Sequence, residues 1–394
     1  MELELQKYLR SSDKSLDTLK AELGVESNTY DNLIIFNYSQ IDSPKSHPIV
    51  MECRGLVLEK DTWDLISYPF RRFFNDSEVQ DITESFCFSD AIALEKLDGS
   101  LVSVFNYRGK WLMATRGMIE NVSKVGFSDM TFKDLFHETV KKYHGFWNKL
   151  NPDFCYIFEL TTPENRVVTF YTERDIHLLT MRRVGFWVEL ALPNLMEQSK
   201  ILGVSIPSIT EFSGKEDLLV LIKKLATLQE GYVAVDYTKM DNDGISFKRV
   251  KVKNPSYVAI HHLKDRAGRS LRSLASLVYD NNQEEFLGYF PEFKPYIDTV
   301  QKKYDEYIQA MGQDVIDNQK WLDMERTGEN RKLFAQVALK CKNPSFMFQL
   351  YDGKIKSFAE LLNSIEKLKT RKYLEKYLVE QLKLKEQNIY STEE

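Results

Sequence analysis

The 394-residue chain holds only four cysteines, Cys53, Cys87, Cys155 and Cys341, and no two of them form a CxxC pair. That spacing excludes a thiolate zinc site and gives no basis for a disulfide framework. Long apolar runs are also missing, so no stretch of about 18 residues is expected to span a membrane. The opening segment, MELELQKYLRSSDKSL, carries charges where a signal peptide needs an apolar core. An excess of positive charge is absent too: 53 Lys and Arg stand against 58 Asp and Glu, for a net charge of −5. A protein that coats nucleic acid without discrimination is usually basic, because neutralised phosphates supply that affinity. Any nucleic-acid contact must therefore come from local basic patches. The six histidines are scattered apart from the adjacent His261 and His262, and no repeat or low-complexity tract appears. These absences leave a soluble protein of a reducing compartment as the expectation.

Aromatic residues, by contrast, reach 12%, with 20 Tyr and 24 Phe, enough for a large core. The length allows two domains. Residues 1 to 24 repeat leucines at helical spacing and predict a helix. From there to about residue 260, short apolar runs alternate with turn signals. Examples are Leu33 to Tyr38, Gly55 to Leu58, Ala91 to Lys96, Leu101 to Tyr107, Tyr156 to Leu160, Gly231 to Asp236 and Ile245 to Lys253. Asp98-Gly99 and Arg108-Gly109 suit tight hairpin turns. Helices are predicted over Thr131 to Leu150 and Lys215 to Leu228. Beyond about residue 260 the strand signals give way to charged amphipathic segments, among them Phe293 to Met311, Arg331 to Lys340 and Ser357 to Gln387. The predicted architecture is α+β: an antiparallel-sheet domain over residues 1–260, then an all-α domain over 261–394. The boundary is expected between Pro255 and Gly268.

The chemistry centres on Lys96-Leu97-Asp98-Gly99-Ser100. Alone, this is an ordinary turn after a solvated strand end. Glu159, inside the apolar strand Ile157 to Leu160, reads alone as a surface carboxylate. Glu230, at the mouth of the strand Gly231 to Val235, reads alone as a turn residue. Lys251 and Lys253, two apart in a strand, put both ammonium groups on one face and would suit the polar side of an edge. Arg54, in Glu52-Cys53-Arg54-Gly55, and Arg72, before Phe73-Phe74-Asn75, read alone as surface charges. Their order is what distinguishes them. A lysine is followed by a carboxylate strand, a second carboxylate strand and a doubled-lysine strand.

That order is the motif order of the covalent nucleotidyltransferases, and its context resembles the phage-type RNA ligase 1 family. The residues that carry the resemblance are ECRG (Glu52 to Gly55), RFFN (Arg72 to Asn75) and KLDGSLVS (Lys96 to Ser103). They continue with FELTTPENRVV (Phe158 to Val168), EGYVAV (Glu230 to Val235) and VKNPSYV (Val252 to Val258), so coverage runs from about residue 33 to 260. The resemblance implies that Lys96 takes AMP from ATP, passes it to an RNA 5'-phosphate, and that a 3'-hydroxyl then displaces AMP to seal the strand. Its substrates would be single-stranded breaks, notably nicked tRNA, in the cytoplasm of a phage-infected bacterial cell.

A neutral amine is needed for attack on phosphorus, and a free lysine has a pKa near 10.4. Lys251, Lys253 and a magnesium ion are expected to lower it for Lys96. The two lysines would also clamp phosphate oxygens. Glu159 and Glu230 are the expected ligands of Mg2+, or of Mn2+ in its place. Arg54 and Arg72 would contact ribose or phosphate, and Phe36 would contact the nucleotide. Asp98 would face the incoming 3'-hydroxyl. Three positions depart from the family pattern: Phe36 stands for a tyrosine, and Arg72 and Arg116 stand for lysines, so charge is kept and shape is not. A DNA ligase or capping enzyme would follow the doubled-lysine strand with a small barrel of strands, and the helical texture after residue 260 disfavours both. An inactive RNA-binding relative should lack a motif residue, and none is lacking. Lys264, Arg266, Arg269 and Arg272 form a candidate RNA contact.

Overall fold

The computed structural model describes residues 2–11, 14–76, 78–79, 86–126, 128–267, 274–275, 277–278 and 283–357. The chain divides into two compact units, one running to His261 and one beginning at His262.

The first unit is built on three four-stranded antiparallel sheets. The first sheet is ordered β1 (Val25–Tyr30), β2 (Leu33–Tyr38), β3 (Arg54–Glu59) and β4 (Leu65–Ser67). The second runs β10 (Ile209–Thr210), β5 (Ile92–Glu95), β11 (Gly231–Met240) and β12 (Phe247–Lys253). The third runs β7 (Lys110–Ala114), β6 (Ser100–Tyr107), β8 (Phe154–Thr161) and β9 (Asp175–Arg183). Inner strands such as β2 and β3 are covered on both faces and read as near-continuous apolar runs. The edge strand β1 is mostly polar and half-exposed, which hid it from periodicity.

Each sheet buries its apolar face against local helices. Leu218 and Ile222 of the helix Lys215–Lys223 pack on the second sheet with Ala93, Ala234 and Val250. Leu135 and Phe136 of Phe132–Val140, and Leu195 and Leu202 of Leu192–Leu202, do the same for the third. The helix expected over residues 1 to 24 is two, Glu4–Arg10 and Leu16–Leu23, because Ser15 caps the second by accepting from Thr18 N. That expected from Thr131 to Leu150 is likewise split, into Phe132–Val140 and Phe146–Lys149, with Gly145 left-handed at the restart.

The two Gly-containing turns behave differently. Arg108 and Gly109 take φ values of 51° and 83° between the paired residues Tyr107 and Lys110. Two consecutive positive φ angles match the twist of the flanking strands, so this is the expected hairpin. Asp98-Gly99 is not a hairpin. β5 belongs to the second sheet and β6 to the third, so residues 96–99 carry the chain from one sheet to the other. Lys96 therefore sits where two sheets meet.

A fully buried arginine, Arg182 on β9, ties this arrangement together. It donates to Pro69 O (3.0 Å), Trp187 O (2.8 Å), Ile245 O (3.1 Å) and Ser246 Oγ (2.7 Å), and lies over the Tyr68 ring. A buried guanidinium is tolerated only when its donors are met in this way.

The second unit is helical, with Gln283–Tyr289, Lys294–Asp317, Gly328–Ala338 and Pro344–Tyr351 as its main elements. Phe334 and Tyr351 stack at 4.2 Å in its core. Among the described residues no strand follows Lys253, and no helix is long and apolar enough to cross a membrane. Arg269, Arg272 and nearly all of the predicted helix from Ser357 to Gln387 lie outside the described residues, as does the side chain of Arg266.

Candidate active site

Lys96 directly follows β5, and its backbone N–H donates to Gly231 O at 2.9 Å, which sets it beside the start of β11. Glu230, the residue before β11, is only 4% exposed. Its carboxylate holds two lysines at once: Lys96 Nζ lies 2.5 Å from Oε2, and Lys253 Nζ lies 3.0 Å from Oε1. Glu159, on β8, accepts from Gly99 N at 3.0 Å. Two glycines make these approaches possible. A Cβ at Gly99 would stand 2.3 Å from Leu160 O, and one at Gly231, where φ is 136°, would stand 2.3 Å from Val252 O. Any side chain at either position would push β6 off β8 or β11 off β12.

The electrostatics invert one expectation. Burial works to lower the Lys96 pKa, but Glu230 and Glu159 outweigh it and hold the amine above its ordinary value. It is Lys251 whose pKa falls well below the ordinary value, through burial first and then the charges of Arg54, Lys96 and Lys253. The doubled lysines thus leave Lys96 protonated, because its contact with Glu230 is closer than any with a cation. Burial, with Glu230 adding to it, pushes Glu159 up to about 7. Two carboxylates so arranged, Glu230 buried and Glu159 half-buried, are hard oxygen donors that fit a divalent cation such as Mg2+.

This fit carries a pH dependence. Glu159 must lose its proton to bind a cation. Its pKa in the fold is raised above the ordinary 4.5, so the stability its neutral form contributes is complete below 4.5 and is lost as pH climbs through about 7. A bound cation restores that loss. Affinity for Mn2+ or Mg2+ is expected to weaken by roughly tenfold for each pH unit below 7. Calorimetric titration at pH 6 and pH 8 measures this, and equal affinities at the two values would remove Glu159 from the metal site.

The profile of one protein family, described as RNA ligase, matches residues 52–257, which takes in Arg54, Lys96, Glu159, Glu230, Lys251 and Lys253. The chain belongs to this RNA ligase family. Its phage relatives include an RNA ligase of Rhodothermus phage RM378, 26% identical over 412 residues that cover 87% of this chain and 90% of that one. A candidate bifunctional polynucleotide kinase/RNA ligase of Autographa californica nuclear polyhedrosis virus is 29% identical over 306 residues, covering 71% of this chain. The match spans only 41% of that viral protein's length. Among solved structures, an archaeal ATP-dependent RNA ligase aligns with a TM-score of 0.41 and 14% identity over 76% of this chain and 83% of that one.

Other residues of the RNA ligase motifs fall around this centre. Arg54 lies with its guanidinium 5.9 Å from the Phe73 ring, and Lys251 Nζ lies 4.6 Å from the same ring. Arg72 is 6% exposed and stands over Tyr38, whose ring also faces Arg116, at 4.5 and 4.4 Å. Among the described residues, Arg54 Nη1 and Arg72 Nη1 are buried without a hydrogen-bond partner. Glu78, unnoticed in the sequence, sits between Arg72 and Lys251. Burial would raise it, but the Asn75 amide, Lys251 and Arg72 outweigh burial and hold its carboxyl below the ordinary value.

Two sequence expectations are corrected. Phe36 is fully enclosed in the first sheet's core, paired with Ser27 and Leu56, and has no surface to offer a nucleotide. Asp98 is 4% exposed and turned inward, away from any incoming hydroxyl. Its oxygens accept from Tyr257 Oη (2.6 Å), Val168 N (2.7 Å) and Thr169 N (2.6 Å). Glu52 likewise serves the fold, accepting from Glu4 N and Leu5 N of the first helix. One-letter patterns carry no sign of which carboxylates point inward.

Proposed function

We propose that this chain is an ATP-dependent RNA ligase that joins 5'-phosphate and 3'-hydroxyl RNA ends through a lysyl-AMP and an adenylated RNA. The observation that carries the reading is the single carboxylate of Glu230 held between Lys96 and Lys253. Lys96 Nζ is the nucleophile. Its ammonium group first gives up a proton to solvent; as the amine bonds to the α-phosphorus of ATP, the bond to the β-phosphate oxygen breaks and pyrophosphate leaves. The AMP then moves to the RNA 5'-phosphate, whose oxygen displaces Lys96. Finally the 3'-hydroxyl attacks the phosphorus of the RNA 5'-phosphate, loses its proton, and AMP departs.

Lys253, Arg54 and Arg72 supply the positive charge that phosphate oxygens need as charge develops, and a phosphate beside Lys251 would offset the burial and cationic neighbours that disfavour its protonated form. Mg2+ held by Glu159 and Glu230 would draw their charge away from Lys96, which favours the neutral amine. The RNA is proposed to be a strand with a single-stranded break, a nicked tRNA being the case the family resemblance implies, in the cytoplasm of a phage-infected cell.

The test is incubation with α-labelled ATP and Mg2+, denaturing electrophoresis, and peptide mapping of the label. An acid-labile adenylyl group on the Lys96 peptide is expected. No label, or a label on another lysine such as Lys251, would defeat the proposal.

A further inference from the structure

Phe170 is a large apolar side chain left in the open beside the Lys96 turn, and it is 59% exposed. It lies in the 162–174 segment that joins β8 to β9. That segment is fastened to residues 98–100 along its length. Asn165 Nδ2 donates to Ser100 Oγ (2.5 Å), Val168 N and Thr169 N donate to Asp98, and Asp98 N donates to Tyr171 Oη (3.1 Å). Thr169 Oγ1 in turn donates to Leu228 O at 2.7 Å, two residues before Glu230. Phe170 is thus placed between two residues anchored on Asp98, one Cα spacing of about 3.8 Å from each. Arg166, itself 6% exposed and donating to Val168 O, sets its guanidinium 5.3 Å from the Phe170 ring centroid.

Single exposed apolar residues are ordinary on a protein surface. Other large ones among the described residues, such as Ile41, Val122 and Phe186, have no such tie to the nucleophile's turn. An aromatic ring on a segment whose flanking residues are held this firmly, with a cation beside it and solvent over much of its surface, is placed for a flat partner.

We propose that Phe170 is a stacking platform for an unpaired nucleobase of the RNA, next to the end being joined. The inference rests on the ligase reading above. Single-stranded RNA is recognised chiefly by stacking its splayed bases on aromatic rings, and every base has a face to offer. The base belongs to either the 5'-phosphate strand or the 3'-hydroxyl strand, and the experiment separates the two.

The full chain is compared with Phe170→Ala, Phe170→Leu and Phe170→Trp in sealing assays that vary each RNA strand in turn. Phe170→Ala should raise KM for one strand by about fivefold to a hundredfold, with a smaller change in kcat. Tryptophan should restore KM and leucine should not. An abasic site at the terminal position of that strand should weaken the wild type by a similar factor and leave Phe170→Ala indifferent. The strand that responds identifies the source of the base. An unchanged KM for both strands, or rescue by leucine equal to rescue by tryptophan, overturns the proposal. Adenylylation of Lys96 uses no RNA and is measured on the same proteins. If the wild type takes no label, the ligase reading fails. Fluorescence anisotropy with the same oligonucleotides then decides the stacking by itself.

Discussion

Lys96→Ala is expected to lose transfer of AMP from ATP by more than about a thousandfold, which is more than about 4 kcal/mol of transition-state stabilisation. The loss is of the bond-forming atom, so Lys96→Arg should fare no better, since its guanidinium stays protonated. RNA adenylated in advance should behave differently. Its sealing breaks only the bond between AMP and the RNA 5'-phosphate, and Lys96 forms no bond in that step. Within the proposed mechanism, Lys96→Ala should therefore seal pre-adenylated RNA within about one to two orders of magnitude of the wild type. Some loss is expected because Glu230 would keep Lys253 as its lysine partner after losing the one at 2.5 Å. Parallel assays with ATP plus 5'-phosphorylated RNA, and with pre-adenylated RNA, check both halves. Undiminished labelling of Lys96→Ala by ATP would move the nucleophile elsewhere.

Asp98→Ala should damage the protein more than a substitution at the reacting atoms would. Two backbone N–H groups and the Tyr257 hydroxyl lose their buried acceptor together. Each orphaned donor costs about 1–3 kcal/mol, and with partial relaxation the sum should be about 3–5 kcal/mol. For a unit of this size that corresponds to a fall in Tm of roughly 6–10 °C. Lysyl-AMP formation should fall as well, because the latch that positions residues 96–99 is gone. Asp98→Asn keeps one acceptor oxygen but turns an amide N–H toward a donor, so it should fall between the two. A variant that melts with the wild type and loses only the sealing step would instead return Asp98 to the direct role its place in the motif suggests.

The candidate site was legible in part. Lysine, carboxylate, carboxylate and paired lysines in strand contexts are chemistry-bearing residue types, and the fold brings Lys96, Glu159, Glu230 and Lys253 into one cluster. The inner strands were legible because residues covered on both faces must be apolar. The errors came where a local signal competed with distant pairing. An Asp-Gly pair favours a hairpin, but the partners of β5 and β6 lie in different sheets. The family resemblance puts Phe36 against the nucleotide, but an aromatic on a strand can face the core as readily as a site, and Phe36 faces the core. Lys96 keeps its proton against the expectation because spacing says which charges are near, and only distance says which one wins.

Arg182 has a consequence in time. Its acceptors come from Pro69, Trp187, Ile245 and Ser246, so no segment of the growing chain shorter than residues 69–246 can satisfy it. The pairing of Lys96 with Glu230 closes a gap of 134 residues in the same interval. Contacts this far apart in sequence form slowly, since the loop must close before any of them is made. Until the ribosome has delivered Ile245 and Ser246, Arg182 has the Glu189 carboxylate 3.9 Å away but lacks two of its four hydrogen-bond acceptors. The nascent ligase unit is then at its most exposed to proteases and to association with other chains.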